Sequence, residues 1–431
     1  MAAQLILISD GKPSINGAGI SQTLANLLDA YPGKITCICA DTEQRNPMPG
    51  ELPMTIAYYS TGPWRCWSNR LGHWVNPYLL RKQLQWMMQQ PLDTTDLPAP
   101  TAATVLVSTT VAHKLLYAWR LLKAGYTVLP YFMDDWMAND TRQWKHHRQW
   151  YNIHLITKEL LQQAPAWLMI SRQLAHTLRH RYNLLPKPTL IIHNPAPSIE
   201  FAANNLQLAR STVAEDDLSC KLQTANCKLQ ITNRKLVYAG SIWPMHADAL
   251  IAVAKAIHLL QAQGQTAYQL TIYTSEAHWA QYRLQLTGPG VQYGGWKPYH
   301  EIHAPLQQAG LLVCTASFAE AHQAYSRSSV QTKLTDYMAC GKPILFVGPA
   351  DAASGAFVED YDLGFTLATA LPADIAERLL SIGRMPEQYR RKQLNTLHEA
   401  RTRFSKAIVQ QELYAFLKKL SSPPAESLPR H

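Results

Sequence analysis

A repeated order of apolar runs and helical segments constrains the fold of this 431-residue chain more than any other feature of its sequence. Residues 5–9 form a short apolar run, a glycine-containing loop follows, residues 21–28 have the apolar spacing of a helix, and residues 35–39 are again apolar. Strand, loop, helix and strand in this order make up the unit of a parallel sheet. Because the unit recurs until about residue 182, the first half predicts one doubly wound α/β domain.

The second half repeats the pattern after an interruption. Residues 197–233 lose the alternation and are too polar to build a core, which indicates a connection with an insertion. Alternation resumes at residue 235 and continues to residue 347, so the predicted fold is α/β, with two Rossmann-like doubly wound domains facing a cleft. The predicted boundaries are 1–196 for the N-terminal domain, 197–233 for the connection, 234–385 for the C-terminal domain, 386–420 for a C-terminal helical segment and 421–431 for a tail.

The composition excludes a disordered chain and favours an acidic partner. Hydrophobic residues make up 47% and charged residues 16% of the chain, and the formal net charge is +10. Residues 1–196 hold 18 basic and 11 acidic side chains and nine of the 12 tryptophans, with cations between the rings at 64–67 and 144–150. Two interpretations stay open, a surface that rests on anionic lipid headgroups or core aromatics beside a solvated cationic face. We expect no nucleic acid partner, because no helix-turn-helix, zinc-finger or ribonucleoprotein-type pattern accompanies the charge.

The sequence predicts neither a spanning helix nor a metal site. No stretch approaches the roughly 18 to 20 uninterrupted apolar residues of a spanning helix, and residues 1–4 lack the basic start of a signal peptide. We therefore expect a cytoplasmic protein, with peripheral contact to the inner face of the membrane left open. The seven cysteines show no paired C-x-x-C spacing, which indicates neither a zinc site nor a disulfide framework. Asp360 and Asp362 match a metal-holding Asp-x-Asp pattern only superficially, and we assign them to a loop.

The most specific segment of the chain is KLTDYMACGKPIL at residues 333–345. It resembles the donor-binding signature of glycosyltransferases of the GT-B fold, in particular glycosyltransferase family 4, the glycosyl transferases group 1. Segments at 132–136, 171–195 and 238–241 support the resemblance, which covers nearly the whole chain apart from the insertion and the tail. The resemblance implies a hexosyltransferase type of enzyme that retains the anomeric configuration. It also implies a nucleotide diphosphate sugar as donor substrate, no separate cofactor, and an acceptor held by the first domain.

The resemblance assigns donor contacts around the helix at residues 332–339. Lys333 is implied to meet the diphosphate as a point charge, with Ser329 and Thr332 as hydroxyl donors, and Asp336 stands where the family usually carries a Glu that binds the ribose hydroxyls. A helix N-terminus at this point is itself suited to a pyrophosphate. The alternative is a solvated Lys333–Asp336 ion pair on the surface of a helix. Gly240, which follows the strand at 235–239, belongs to the same expected donor site.

The sequence departs from the family pattern at two charged positions after residue 240. Ser241 and His246 stand where the resemblance implies an Arg and a Lys, so two phosphate-neutralising charges are missing. We predict that Arg327 or Lys297 replaces them.

The family's acidic pair departs as well. Ser328 stands at the place of the first Glu of this pair, and Glu320 in the preceding loop is the predicted substitute that reaches the sugar hydroxyls. These departures leave the donor sugar and the catalytic contacts open.

Two segments of the first domain are candidates for ligand contact. Asn16, Gly17 and Gly19 lie in a loop whose small residues permit close backbone approach to a ligand, although a structural turn explains them equally well. Asp134 and Asp135 follow an apolar run, at the end of a strand where α/β domains bind ligands. One of them is predicted to orient or deprotonate an acceptor hydroxyl, and the alternative is an N-cap for the next helix.

The sequence therefore predicts an enzyme that moves a sugar from a nucleotide diphosphate sugar to a saccharide or lipid-linked acceptor. The basic, tryptophan-rich first half suggests a role in envelope polysaccharide synthesis. Two alternatives stay open. The first is a nucleotide-sugar-binding or scaffold subunit without catalysis, and the second, ranked lower, is a sugar-nucleotide epimerase of the same fold.

Overall fold

The computed structural model describes residues 4–17, 19–41, 49–63, 72–137, 148–198 and 233–421, with backbone alone at 72–77, 148–152 and 421. Contacts divide the chain into two compact units. The first comprises Met1–Pro195, Ser328–Val330 and Ala407–His431, and the second comprises Ala196–Arg327 and Gln331–Lys406. The tryptophan-rich runs at 64–67 and 144–147, most of the predicted connection at 199–232 and the tail at 422–431 lie outside the described residues.

The first unit is built on a parallel sheet covered by helices. Its strands are β1 Gln4–Ile8, β2 Ile35–Ala40, β3 Thr55–Tyr59, β4 Ala103–Ser108, β5 Thr127–Phe132, β6 Trp167–Met169 and β7 Thr189–Ile191. They lie in the order β3-β2-β1-β4-β5-β6-β7. The helices are α1 Ile20–Leu28, α2 Gly72–Gln89, α3 Ala112–Lys123, α4 Arg148–Gln163 and α5 Arg172–Tyr182. All six residues of β4 are buried, because a central parallel strand has helices on both faces.

The second unit repeats this architecture with a smaller parallel sheet. Its strands are β8 Lys235–Ala239, β9 Gln269–Tyr273, β10 Val291–Gly295, β11 Leu311–Thr315, β12 Ile344–Val347 and β13 Gly364–Leu367. They lie in the order β10-β9-β8-β11-β12-β13. The helices are α6 Pro244–Ala262, α7 Glu276–Leu286, α8 Tyr299–Gln307, α9 Glu320–Ser326, α10 Lys333–Ala339, α11 Ala353–Asp360, α12 Pro372–Ile382 and α13 Pro386–Arg401. Both described sheets confirm the prediction of two Rossmann-like α/β domains.

The predicted C-terminal helical segment is divided between the two units. Helix α13 belongs to the second unit, whereas the following helix, α14 Lys406–Ser421, packs almost entirely on the first. Val409, Leu413 and Leu417 join the apolar core of the first unit, and Tyr414 donates a hydrogen bond to the Leu27 carbonyl at 2.9 Å. The chain thus returns to its first domain at its end, a contact between distant residues that no local pattern in the sequence indicates.

Asp362 lies in a turn of the second unit with a φ of 51°, in the left-handed region. Its carboxylate binds Arg391 at 2.8 Å and Lys392 at 2.6 Å. These bonds anchor α13 to the loop before β13, so Asp362 is a structural residue, in agreement with its assignment to a loop. Within the described part of the chain, no helix combines the length and the apolar character that crossing a membrane requires.

Candidate functional site

The ammonium group of Lys333 is buried at the carboxyl edge of the second sheet. Lys333 begins α10, and its Nζ lies 4.1 Å from the centroid of the Tyr238 ring at the end of β8. Gly240 has a φ of 126°, and a Cβ built there would be 3.1 Å from Nζ, so a glycine is required beside the lysine. No described residue accepts a hydrogen bond from this Nζ. A buried cation without an anion is unfavourable, so an anionic ligand would find its counter-charge here.

Three further buried polar atoms at this edge of the sheet have no hydrogen-bond partner among the described residues. They are Thr274 Oγ1 after β9, Asp248 Oδ1 on α6 and Gln331 Oε1 before α10. The other ends of two of these side chains are held in place, because Asp248 accepts from the Phe318 N–H at 2.9 Å and Gln331 donates to the Thr315 carbonyl at 2.9 Å. Orphaned buried polar atoms are uncommon in native proteins. Their position at the same edge of the sheet as Lys333 indicates a polar ligand site that sequence reasoning missed, because nothing local marks these residues.

Asp336 does not pair with Lys333. Its carboxylate accepts a hydrogen bond from the Tyr299 hydroxyl at 2.7 Å, and burial raises the pKa of Asp336 to about 7 although this hydrogen bond lowers it. The alternative of a solvated Lys333–Asp336 pair is therefore wrong, since the lysine nitrogen is buried and bonded to no described carboxylate. The Tyr299 contact shows that this carboxylate accepts a hydrogen bond from a hydroxyl group, and its contact with ribose hydroxyls stays a prediction.

The raised pKa of Asp336 predicts a pH dependence of stability. Because the folded state holds the proton more tightly than the unfolded state, its contribution is fully present below about pH 4 and is lost as the pH rises through about 7. Between pH 5 and pH 8 the free energy of unfolding should fall by about 2–3 kcal/mol more in the native protein than in an Asp336→Asn variant. Urea unfolding at both pH values measures this difference. Asp374→Asn, an exposed carboxylate on α12, is the matched control, and equal slopes for Asp336→Asn and the native protein would contradict the assignment.

The side chains of Ser241 and His246, which stand where the family pattern has an Arg and a Lys, are both uncharged at neutral pH. His246 is buried, and its Nδ1 lies 3.0 Å from the Thr315 carbonyl. Burial, followed by the charge of Lys333, lowers the pKa of His246 to about 3, so its ring carries no charge at neutral pH. Ser241 is exposed, and its carbonyl accepts from the Tyr238 hydroxyl at 2.8 Å. Lys333 is therefore not supported by a second cation at either position.

Each of the two predicted replacements for these charges, Arg327 and Lys297, lies beside a carboxylate of the second unit. Arg327 pairs with Asp351, and both side chains are about half exposed. Lys297 precedes α8, and its Nζ lies 3.8 Å from the carboxylate of Glu301 in the first turn of that helix. Surface pairs of this kind exchange partners easily because they contribute little free energy. Their role toward a donor stays a prediction.

The remaining predicted residues of the donor loop lie at different depths. Glu320 is exposed at the first position of α9, and Thr332 precedes α10 without a side-chain cap bond. Ser329 is buried and groups with the first unit. The roles of all three stay predictions.

Asp135, a predicted catalytic residue, is held in a buried ion pair. Its two oxygens accept from Arg181 of α5 at 2.7 and 2.5 Å, and its side chain is 1% exposed. Asp135 is therefore part of a buried ion pair, and its predicted contact with an acceptor hydroxyl stays a prediction. Asp134 is more accessible and accepts a hydrogen bond from the Trp136 N–H at 3.2 Å, as in the alternative of a helix cap.

The glycine loop of the first unit combines both interpretations of its sequence. A Cβ at Gly17 would lie 2.9 Å from the Ser14 carbonyl, so this glycine is required by the turn itself. Asn16 donates to the Pro49 carbonyl at 3.3 Å. Gly19 has a φ of 53°, and apart from its chain neighbours no described atom lies within 4 Å of a Cβ built there, so its contact with a ligand stays a prediction.

Comparisons with known proteins give a family match for the second unit and a fold likeness for nearly the whole chain. The family model for Glycosyl transferases group 1 matches residues 233–385. A search of curated protein sequences found no match. Among solved structures, HepE from Anabaena in complex with UDP is 14% identical, covers 97% of this chain and 100% of its own, and has a TM-score of 0.59. Sucrose-phosphate synthase from Thermosynechococcus elongatus is 14% identical, covers 97% of this chain and 99% of its own, and has a TM-score of 0.63. The trehalose 6-phosphate synthase from Burkholderia multivorans is 10% identical, covers 98% of this chain and 99% of its own, and has a TM-score of 0.61.

The fold defines a protein of the GT-B class, which confirms the prediction made from the motif at residues 333–345. Residues 233–385 of its second unit match the glycosyl transferases group 1 model, and together with the fold this match supports a glycosyltransferase.

Proposed function

We propose that the site around Lys333 binds the diphosphate of a nucleotide diphosphate sugar. The observation that carries this proposal is the Lys333 ammonium group, which is buried at the carboxyl edge of the second sheet without an acceptor among the described residues. A diphosphate would supply both the negative charge and the oxygen acceptors that this nitrogen lacks. Asp336 would accept hydrogen bonds from the ribose hydroxyls. Because the HepE structures hold UDP and UDP-glucose, uridine is the first base to test.

Calorimetric titration with UDP, GDP, ADP and dTDP tests the donor half of the proposal without knowledge of the acceptor. Selective binding of one diphosphate is the expected result. Absence of binding to all four would contradict the proposal and show that Lys333 alone cannot replace the missing charges at Ser241 and His246.

We propose further that the protein transfers the sugar to a saccharide or lipid-linked acceptor, with retention and without a metal ion, in envelope polysaccharide synthesis. Lys333 would stabilise the negative charge that develops on the leaving diphosphate, and positioning of donor and acceptor would provide the rest of the rate enhancement. Transfer should continue in the presence of EDTA, and proton NMR of the product should show the anomeric configuration of the donor. A product of inverted configuration would contradict retention, and loss of transfer in EDTA would contradict metal independence.

A donor-binding subunit without catalysis is the second candidate. The neutral side chains at Ser241 and His246 favour it, because the protein then places less positive charge around the diphosphate than the family pattern provides. This candidate predicts that the protein binds the diphosphate but releases no diphosphate from the corresponding nucleotide sugar when acceptor glycosides are present. That result would favour a binding subunit over an enzyme.

We propose peripheral contact of the first half with an anionic membrane. The excess of 18 basic over 11 acidic side chains in residues 1–196 supports it. The protein should sediment with vesicles that contain 30% phosphatidylglycerol at low salt and be released by 0.5 M salt, since such attraction is screened. Equal sedimentation with neutral phosphatidylcholine vesicles, or none with either kind, would contradict it.

A further inference from the structure

A cavity of about 270 Å³ lies beside β13, the edge strand of the second sheet. Its walls come from α11, α12, α13, the turn before β13 and the first three residues of that strand. It is lined by three basic and two acidic side chains, Arg378, Arg391, Lys392, Glu359 and Asp362. The cavity lies toward the amino-terminal end of β13, whereas the site around Lys333 lies at the carboxyl edge of the sheet. The two sites are therefore separate.

The acidic groups of the cavity do not use up its positive charge. Asp362 accepts from Arg391 Nε at 2.8 Å and Nη2 at 3.4 Å, from Lys392 Nζ at 2.6 Å and from Asn395 Nδ2 at 2.9 Å. A carboxylate has about four lone-pair positions, so Asp362 is saturated and takes no further donor. Glu359 is exposed and accepts from a threonine hydroxyl of β13, and water screens its charge.

The basic groups keep N–H donors that no described residue accepts. Arg378 has no hydrogen-bond or ion-pair partner among the described residues, and its guanidinium carbon lies 5.8 Å from the centroid of the Phe365 ring. The Lys392 side chain is 12% exposed, its Nζ lies 5.1 Å from the same centroid, and its bond to Asp362 uses one N–H group. Because a guanidinium has five N–H groups and an ammonium three, most of these donors have no protein acceptor.

The backbone of β13 adds donors at the open edge of the sheet. The carbonyls of Leu363 and Leu367 accept hydrogen bonds from N–H groups of the β12 segment, at 3.1 Å each, and so face β12. Backbone groups alternate in direction along a strand, so those of Gly364 and Thr366 face the open edge, where an edge strand leaves them unpaired. Both residues line the cavity. The strand therefore offers N–H donors to an anion beside the three cations.

We propose that this cavity binds the phosphate monoester group of a small, soluble ligand. Such a group carries a charge of about −1.5 to −2 near neutral pH and three terminal oxygens that accept hydrogen bonds. Arg378 can hold two of these oxygens with its planar fork while Lys392 meets the third as a point charge. A carboxylate offers one charge and two oxygens, too few for cations on two helices.

The size of the cavity limits the rest of the ligand. Its volume of about 270 Å³ lies just below the usual range of small-molecule sites, about 300–1,000 Å³. A sugar phosphate of monosaccharide size is the class that combines this volume with the required phosphate. The inference adds a second ligand site to the second unit and does not depend on the proposed donor site.

Calorimetric titration with glucose 6-phosphate tests the inference in the native protein and in the Lys333→Met variant. This variant lacks the ammonium group proposed to hold a diphosphate, so binding that persists in it comes from another site. We expect both proteins to bind one equivalent with a dissociation constant of about 1 mM or lower, and neither to bind glucose. Absence of glucose 6-phosphate binding to Lys333→Met, or equal binding of glucose, overturns the inference. Failure of the proposed donor site is recognised separately, by the absence of nucleoside diphosphate binding to the native protein.

Variants of Arg378 assign the binding to this cavity. Arg378→Met is expected to weaken glucose 6-phosphate binding about tenfold or more, and Arg378→Glu to abolish it. Met keeps the contact with the Phe365 ring and breaks no ion pair with a described residue, so the midpoint of thermal unfolding without ligand should be nearly unchanged. Arg283→Met, at an exposed position of α7, is the matched control and should bind as the native protein does. Native affinity in Arg378→Glu, or an equal loss in Arg283→Met, overturns the inference.

Phosphatidic acid carries the same phosphate monoester on a lipid, and sedimentation distinguishes this source from a soluble ligand. A soluble ligand predicts that Arg378→Glu and the charge control Arg283→Glu sediment equally with phosphatidylcholine vesicles that contain 10% phosphatidic acid. Sedimentation that is lost in Arg378→Glu but kept in Arg283→Glu would assign the cavity to a lipid headgroup and overturn the soluble ligand.

Discussion

The Lys333→Met variant is expected to bind the selected nucleoside diphosphate about 10- to 100-fold more weakly than the native protein, without loss of thermal stability. The reduction follows from the loss of charge-assisted hydrogen bonds, which contribute about 1.5–3 kcal/mol to such contacts. Stability should be unchanged or higher, because the substitution removes a buried ammonium group that no described acceptor compensates and keeps an apolar contact with the Tyr238 ring. Calorimetry and a thermal unfolding curve measure the two effects.

Lys255→Met is the matched control for this experiment. Lys255 is exposed on α6 of the same unit, so its loss removes an equal charge without touching the site. If both variants weaken binding equally, the effect comes from net charge alone and Lys333 is not the diphosphate ligand. An unchanged affinity for Lys333→Met would remove it from the site altogether.

The second large effect concerns the buried Asp135–Arg181 pair of the first unit. Arg181→Met leaves the Asp135 carboxylate buried without its partner, which is expected to lower the free energy of unfolding by about 3–5 kcal/mol. For a unit of this size, the midpoint of thermal unfolding should fall by about 10 °C. Differential scanning calorimetry measures the shift, and Arg172→Met, at the exposed first position of α5, should leave the midpoint nearly unchanged.

The double variant Asp135→Asn/Arg181→Met distinguishes a structural from a catalytic role for Asp135. If the pair is structural, removal of both charges should recover most of the lost stability and keep sugar transfer at a measurable rate. A double variant that is stable but transfers no sugar would instead restore the catalytic role that the sequence predicted for Asp135.

Local patterns predicted the elements of this fold well. Strand and helix positions such as β1, α1 and β8 follow from apolar periodicity. Each face of a parallel sheet must be covered, and this requires apolar residues at regular spacing within each strand and helix. The sequence singled out Lys333 for a related reason, since this lysine lies within a continuous motif, and its contact with a diphosphate stays a prediction. The environments of the carboxylates were harder to predict. Asp134 and Asp135 are adjacent in sequence, but only Asp135 pairs with Arg181, which lies 46 residues later on α5.

The sequence by itself determined the two α/β domains, the glycosyltransferase resemblance and the position of Lys333, because periodicity and a contiguous motif are local properties. The tertiary structure alone decided which polar groups have partners. It paired Asp135 with Arg181 and Asp336 with Tyr299, and it left Lys333 Nζ and Ser108 Oγ buried without acceptors or donors among the described residues. It also returned α14 to the first unit. The physical reason is that burial and hydrogen-bond satisfaction depend on residues far apart in the chain, and these two quantities determine which polar residues are available to a ligand.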